Sequence, residues 1–416
     1  MTRDDLLEKI TRFYLESPDF NGLPLRDFFG ADYAQIQELL KDLIRDEMIA
    51  IVYGDGHPNP HIRALPEHHT AEEQIALLTS SPFIKRACAY PLPKHLERVV
   101  DRSNYAEKPY TLELALGGPQ LSHRAFDMMI LETYRNDPRY HYECDGIKGY
   151  ISITDEYYES DSIDESDQVL LNEFGFSYTE DFKQYVAVFL YDLAGLSPEH
   201  QKLWKIREFS GTTRLHPDYF RTSIMGEWYE RGSIYDAFIE EIRIINEMSK
   251  AMNRPALFSE SYEQRPKEFG PLLRPTTREL NSFIHLLDKM ISENINKAFF
   301  QNDIPSSEEV TRPDGKIEVR QIGSITMLDN WLHTKWRFQD DSPAKKMIKT
   351  FRDIRKRRQK PAHSVLNDTF SQKNIQDQRD LIESVYESIV TGASPPRHVP
   401  LSTVWLPRRA GASRIL

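Results

Sequence analysis

Apolar residues in the first segment fall at Leu6, Leu7, Ile10, Phe13 and Tyr14, three and four apart, which predicts a helix over 4–17 that Asn21-Gly22 stops. A short helix follows at 25–29, and a third runs from Tyr33 to Asp46 on Ile36, Leu39, Leu40 and Ile44. The stretch "MIAIVYGDGHPNPHIRAL" then reads as two short strands around a Gly, Pro and Asn cluster, that is, a hairpin. Residues 66–148 mix proline-rich loops with one predicted helix near 122–134. From 149 to 193 the pattern becomes strand-like, because "GYISITDEYY" and "YVAVFLYDLAGL" are rich in β-branched and aromatic residues. "VAVFLYDL" is apolar almost throughout, which suits either a strand buried on both faces or a core helix; periodicity does not separate the two. Helical spacing returns at 234–252, where Ala237, Phe238, Ile242, Ile245 and Met248 form a stripe and Glu240, Glu241 and Lys250 are expected outside it.

Four helical segments then follow one another. The first, 276–300, carries Leu280, Phe283, Ile284, Leu287, Met290, Ile291, Ile295 and Phe299, with Thr276 or Thr277 as its cap. A loop at 302–322 contains the turn signal "RPDGK". The second helix spans 324–337 on Met327, Leu328, Trp331 and Leu332. The third starts at Pro343, a favourable first-turn residue, and the fourth runs over 374–390 on Ile375, Leu381, Ile382, Val385 and Ile389. Four antiparallel helices of this length predict a bundle.

The expected fold class is therefore multidomain α+β. Residues 1–65 form a first unit, 66–275 a mixed α/β middle region that senses or binds a partner, 276–390 a helical bundle, and 391–416 an extended tail around Trp405 and Leu406. Three helices followed by a hairpin resemble a winged helix. A DNA-binding member of that class needs bases on its third helix. Here "DYAQIQELLKDLIRDE" sets five acids against Lys41 and Arg45, which favours a protein partner over DNA.

Charge changes the picture at the other end. The 416 residues carry 53 Lys plus Arg against 64 Asp plus Glu, a formal net charge of −11, which argues against a protein that coats nucleic acid. The charge is uneven, however. Residues 155–167, "DEYYESDSIDESD", hold seven carboxylates and no base and read as a solvated loop, whereas Lys345–Lys360 hold nine bases and one acid. No apolar run reaches the ~18–20 residues of a membrane span, and "MTRDDLLEKI" lacks the apolar core of a signal peptide, so a cytoplasmic protein with no membrane partner is expected. Cys88 and Cys144 are the only cysteines and sit in no C-x-x-C pair. "DGHPNPH" and "HYEC" lack the repeated ligand spacing of a zinc site, and His57 and His61 read as turn residues. No phosphate-binding glycine loop or nucleophile elbow occurs. Neither a metal nor a cofactor is expected.

The basic run ends in "FRDIRKRRQKPAHSV". Its apolar stripe, Met347, Phe351 and Ile354, has Arg358 as its next position, and Pro361 ends or kinks the helix before His363. Arg358, Gln359 and His363 near the end of a bundle helix resemble the R-x(4–6)-H signature of the HEPN superfamily. Glutamine stands where that family commonly has asparagine, aspartate or histidine, and a proline lies inside the motif. The resemblance implies a homodimer whose two Arg–His pairs share a cleft, and a metal-independent endoribonuclease of toxin or phage-defence type. The chemistry is coherent: histidine exchanges a proton with the 2′-hydroxyl or the leaving oxygen, and a guanidinium steadies the phosphorane. Lys345, Lys346, Lys349, Arg352, Arg355, Lys356, Arg357 and Lys360 are the candidate RNA-backbone contacts. The competing reading is a non-catalytic bundle that dimerises and contacts RNA or protein, with Arg358 and His363 completing a helix C-terminus. Within the middle region, "YVAVFLYDLAGLSPEHQKLWK", "GEWYERGSIYDAFIEEIRIINEMSKAMNRPALF" and "LLRPTTREL" resemble a family of uncharacterised bacterial proteins and bring no catalytic motif.

Overall fold

A computed structural model of the chain describes all residues except 31–32, 56, 67, 83, 161–163, 228–231, 302, 336–339, 360–367, 394–403 and 406–416. The fold is mixed α+β and divides into two compact units: Met1–Glu143 with Ile147–Tyr229, and Cys144–Gly146 with Glu230–Leu416. No helix among the described residues is long and apolar enough to cross a membrane.

The first unit opens with α1 (Arg3–Glu16), whose Thr2 and Asp5 form a reciprocal capping box. Strand β1 (Leu23–Pro24), a 3-10 turn at Leu25–Phe28, α2 (Tyr33–Arg45), β2 (Ile49–Val52), α3 (Ala71–Ser80) and β3 (Cys88–Pro91) follow. The three strands are antiparallel in the order β1-β3-β2. Their core joins Leu6 and Ile10 of α1 to Ile36, Leu40 and Leu43 of α2 and to Ile49 and Ile51 of β2. The predicted hairpin is corrected here: β2 pairs with β3, and the intervening residues carry α3 rather than a return strand. Nothing in the periodicity of 48–65 reveals so distant a partner.

Helices α4 (Pro93–Val99) and α5 (Pro109–Ala115) lead into a larger antiparallel sheet. Its strands are β4 (His123–Phe126), β5 (Tyr140–Cys144), β6 (Lys148–Ile153), β7 (Leu170–Tyr178), β8 (Gln184–Phe189), β9 (Glu208–Phe209) and β10 (Arg214–Leu215). They run β5-β6-β7-β8-β4-β9, with β10 beside β7. The helix expected near 122–134 begins instead as β4; only a 3-10 turn at Met128–Leu131 and the short α6 (Glu132–Arg135) are helical. "GYISITDEYY" is strand only to Ile153 and then turns into α7 (Asp155–Tyr158). "VAVFLYDL" satisfies both of its readings in succession, since β8 is buried between β7 and β4 up to Phe189 and then gives way to α8 (Leu190–Ala194). Helices α9 (Pro198–Ile206) and α10 (Pro217–Ser223) complete the unit. Buried Gln120 fastens the small sheet to the large one: its Oε1 accepts from the Arg63 N–H at 2.6 Å and its Nε2 donates to the Phe20 carbonyl at 2.9 Å.

The second unit contains α11 (Ile234–Ala251), α12 (Thr277–Asp288), α13 (Ser324–Lys335), α14 (Ser342–Gln359) and α15 (Lys373–Ala393). One apolar core runs through all five, from Phe238 and Ile242 through Leu287, Trp331, Met347 and Phe351 to Ile382 and Val385. Glu241, expected on the outer face of α11, is buried. The helix expected over 276–300 is interrupted: α12 ends at Asp288, a π turn occupies Lys289–Glu293, and a 3-10 turn covers Lys297–Phe300. The loop around "RPDGK" is a largely exposed hairpin of strands β11 (Ser307–Thr311) and β12 (Ile317–Gln321), turning at Gly315 with φ +81°. In the tail, Val404–Trp405 pairs in parallel with Gly232–Ser233.

Candidate functional site

Helix α14 buries Ala344, Met347, Ile348, Phe351 and Ile354, so the next turn of its inward stripe falls on Arg355 and Arg358. Both guanidinium groups reach Asp288, a carboxylate with 0% side-chain exposure: Arg358 Nη1 donates to Oδ2 at 2.7 Å, and Arg355 Nε lies 3.7 Å from Oδ1. Arg358 also donates to Glu293. A buried carboxylate needs such cations, since leaving its charge uncompensated away from water is costly. The π turn explains how both acids reach one guanidinium. Residues five apart lie about 140° apart around a regular α-helix, and widening the turn to i→i+5 bonding brings Asp288 and Glu293 toward the same side. The Arg358 hydrogen bond holds Glu293 below the usual carboxylate range, with charges from Arg355 and His285 assisting, and Glu293 and Asp288 raise Arg358 in return.

Arg358 is therefore fixed in place near the end of α14. His363 and Lys360 lie outside the described residues, so their placement beside it is not described. The rest of the basic face is less free than its sequence suggests. Lys345 pairs with Asp341 at 2.7 Å, Lys346 with Glu387 at 3.1 Å and Arg352 with Asp329 at 2.8 Å. Lys349, Lys356 and Arg357 are exposed and have no ion pair among the described residues. Sequence reading missed Asp288 and Glu293. The signal was present in "LLDKMISE": an acid sitting on the buried stripe between Leu287 and Ile291 demands a cation.

Two further polar clusters lie in the first unit. Arg26, His61, Lys85 and Arg86 line a hollow of about 360 Å³. Arg86 donates to the Pro58 carbonyl at 2.7 Å, Arg26 lies 3.8 Å from Asp27, and Lys85 has no ion pair among the described residues. Beneath the large sheet, Glu173 accepts from Lys148 at 2.9 Å and from Ser223, while burial, reinforced by the charge of Glu173, pushes the Asp192 carboxyl up to about 7. The ring of Tyr219 packs where Gly175 has no side chain, and its buried hydroxyl has no hydrogen-bond partner among the described residues. On α2, by contrast, the two bases are absorbed by Glu38 and Asp42, each at 2.7 Å. Cys88 and Cys144 are buried and form no disulfide among the described residues.

No protein-family model, no curated protein and no solved structure matches the chain.

Proposed function

We propose that the second unit is an RNA-acting helical bundle of HEPN type, and that the protein is a metal-independent endoribonuclease of toxin or phage-defence character. In this reading His363 exchanges the proton of the 2′-hydroxyl or the leaving oxygen and Arg358 stabilises the phosphorane. Lys349, Lys356 and Arg357 hold the RNA backbone, and two copies share the cleft. The observation that carries the reading is the anchoring of Arg358. Asp288 and Glu293 both accept from Nη1, which orients the guanidinium at the end of a base-rich helix and leaves Nε and Nη2 without a hydrogen bond among the described residues, available to an anion. The first unit acts as a winged-helix-like contact module, a reading supported by the strand order β1-β3-β2 and by the shared core of α1, α2 and the sheet. The charge-neutralised α2 favours a protein partner for that module.

The same pair of carboxylates favours a second reading, in which Arg358 serves only to neutralise Asp288 and the bundle binds RNA or protein without cleaving. Arg358→Ala does not separate these, because it removes an ion pair as well as a catalytic group. His363→Ala does. Purified protein incubated with mixed cellular RNA in EDTA is expected to cleave it, and His363→Ala to reduce the rate a hundredfold or more. Equal cleavage by the variant refutes the nuclease reading, and RNA binding without cleavage in the wild type leaves the second.

A further inference from the structure

We propose that Asp55, His68 and His69 form a binding site for a divalent transition metal of the zinc class, independent of the ribonuclease reading. Asp55 leaves the end of β2 and the two histidines immediately precede α3, so two loop ends converge on one point. The three donor atoms lie within 4.8 Å of one another. His69 Nε2 is 2.6 Å from Asp55 Oδ2, His68 Nε2 is 3.7 Å from the same oxygen, and the imidazole centroids are 3.9 Å apart. Zinc holds histidine nitrogen and carboxylate oxygen at about 2.0–2.2 Å, which in tetrahedral geometry separates the donors by about 3.4 Å. The observed separations bracket that value, and an incoming ion replaces the His69–Asp55 hydrogen bond with shifts of about 1 Å.

The donor set selects the metal class. Two imidazoles exclude magnesium and calcium as preferred occupants, and the absence of thiolate among the three ligands argues against a closed structural zinc centre. With His68 58% and Asp55 36% exposed, the remaining coordination position faces solvent. The scaffold behind the ligands is cross-linked by hydrogen bonds. Buried Gln74 donates to the His69 carbonyl at 3.1 Å and accepts from the Ile51 N–H of β2 at 2.9 Å, and Tyr53 donates to the Gln74 carbonyl at 2.6 Å while its ring meets His69 edge-on. Thr70 caps α3 and engages Glu73, which keeps that carboxylate out of the ligand set.

The test uses untagged full-length protein stripped with EDTA and then dialysed free of it. Titration with zinc chloride in a calorimeter is expected to give one site per chain with a micromolar or tighter dissociation constant, and cobalt(II) to give the visible absorption of a low-symmetry site. His68→Ala, His69→Gln and Asp55→Asn should each weaken binding tenfold or more, while His57→Ala should not, with circular dichroism checking that each variant folds. Zinc should raise the melting temperature of the wild type and not of His69→Gln. No binding below 100 µM, or binding that His69→Gln and His68→Ala leave unchanged, overturns the site.

Discussion

Helix α14 and the hollow of the first unit gather positive charge in opposite ways. On α14 eight bases crowd into the fourteen residues 345–358, yet Asp341, Glu387, Asp329, Asp288 and Glu293 engage five of them. In the hollow the basic side chains come from positions 26, 61, 85 and 86, which no single sequence window joins: Arg86 meets the Pro58 carbonyl, His61 the Cys88 sulfur, and a carboxylate, Asp27, comes no nearer to Arg26 than 3.8 Å. Charge density along a chain and free charge in space are different quantities. Phosphate binding depends on the second, because each cation already engaged by a carboxylate releases fewer counterions from RNA.

The largest test of this difference is stability. Arg358→Ala leaves Asp288, at 0% exposure, with Arg355 alone at 3.7 Å, and is expected to cost about 3 kcal/mol in urea denaturation. Arg86→Ala, which removes an exposed contact to a carbonyl, should cost less than about 1 kcal/mol. Replacing the pair together, Asp288→Leu with Arg358→Met, should recover most of the loss. A smaller cost at Arg358 than at Arg86 would mean that the ion pairs on α14 are ornaments of the surface.

Asp192 sharpens the comparison from the acid side, since it is a half-buried carboxylate with no ion pair to a cation among the described residues. Its pKa, raised to about 7 by burial and by Glu173, means that the native state holds the proton more tightly than the unfolded chain between the ordinary carboxylate range and about 7. Stability therefore falls as pH rises through that window, and the penalty is complete above it. Asp192→Asn should be more stable than the wild type at pH 8 by about 2 kcal/mol, with the difference vanishing near pH 4. A pH-independent difference would show that the charge of Asp192 is not what the fold resists.

How much of this was legible follows from the range of each interaction. Apolar stripes are local, so α12–α15 were readable from Phe283, Leu328, Phe351 and Ile382, and the pause at Asp288 was marked by an acid on the stripe. Partners across the fold were not readable. The strand that pairs with β2 begins at Cys88, and Arg352 finds Asp329 only because α13 packs on α14. His68 and His69 stood in plain view in "PEHHT", but their third ligand, Asp55, is brought to them by the placement of α3.

RNA affinity gives the next test in size. Charge reversal at Lys349, Lys356 and Arg357 should weaken binding and flatten its salt dependence by roughly two to three in slope, at ~0.7–0.9 per lost phosphate contact. The matching reversal at Arg26, Lys85 and Arg86 should leave RNA binding near the wild-type value if the nucleic-acid surface belongs to α14. Filter binding at several salt concentrations decides between them, and a larger loss from the hollow would transfer the surface to the first unit.

The smallest effect separates paired from unpaired bases within α14 itself. Lys346 and Lys356 are both exposed lysines on one helix, but Lys346 Nζ sits 3.1 Å from Glu387 whereas Lys356 has no ion pair among the described residues. Lys346→Ala should change stability by less than about 0.5 kcal/mol, because a surface pair gains little over two solvated charges. Its effect on RNA should also be the lesser, because a lysine already engaged by Glu387 in the free protein contributes less to counterion release on binding. Lys356→Ala, with no such partner, should lower the salt slope by close to a full contact. Equal slopes for the two variants would show that RNA strips Lys346 from Glu387 on binding, and that the ion pairs seen on α14 are a resting arrangement the ligand displaces.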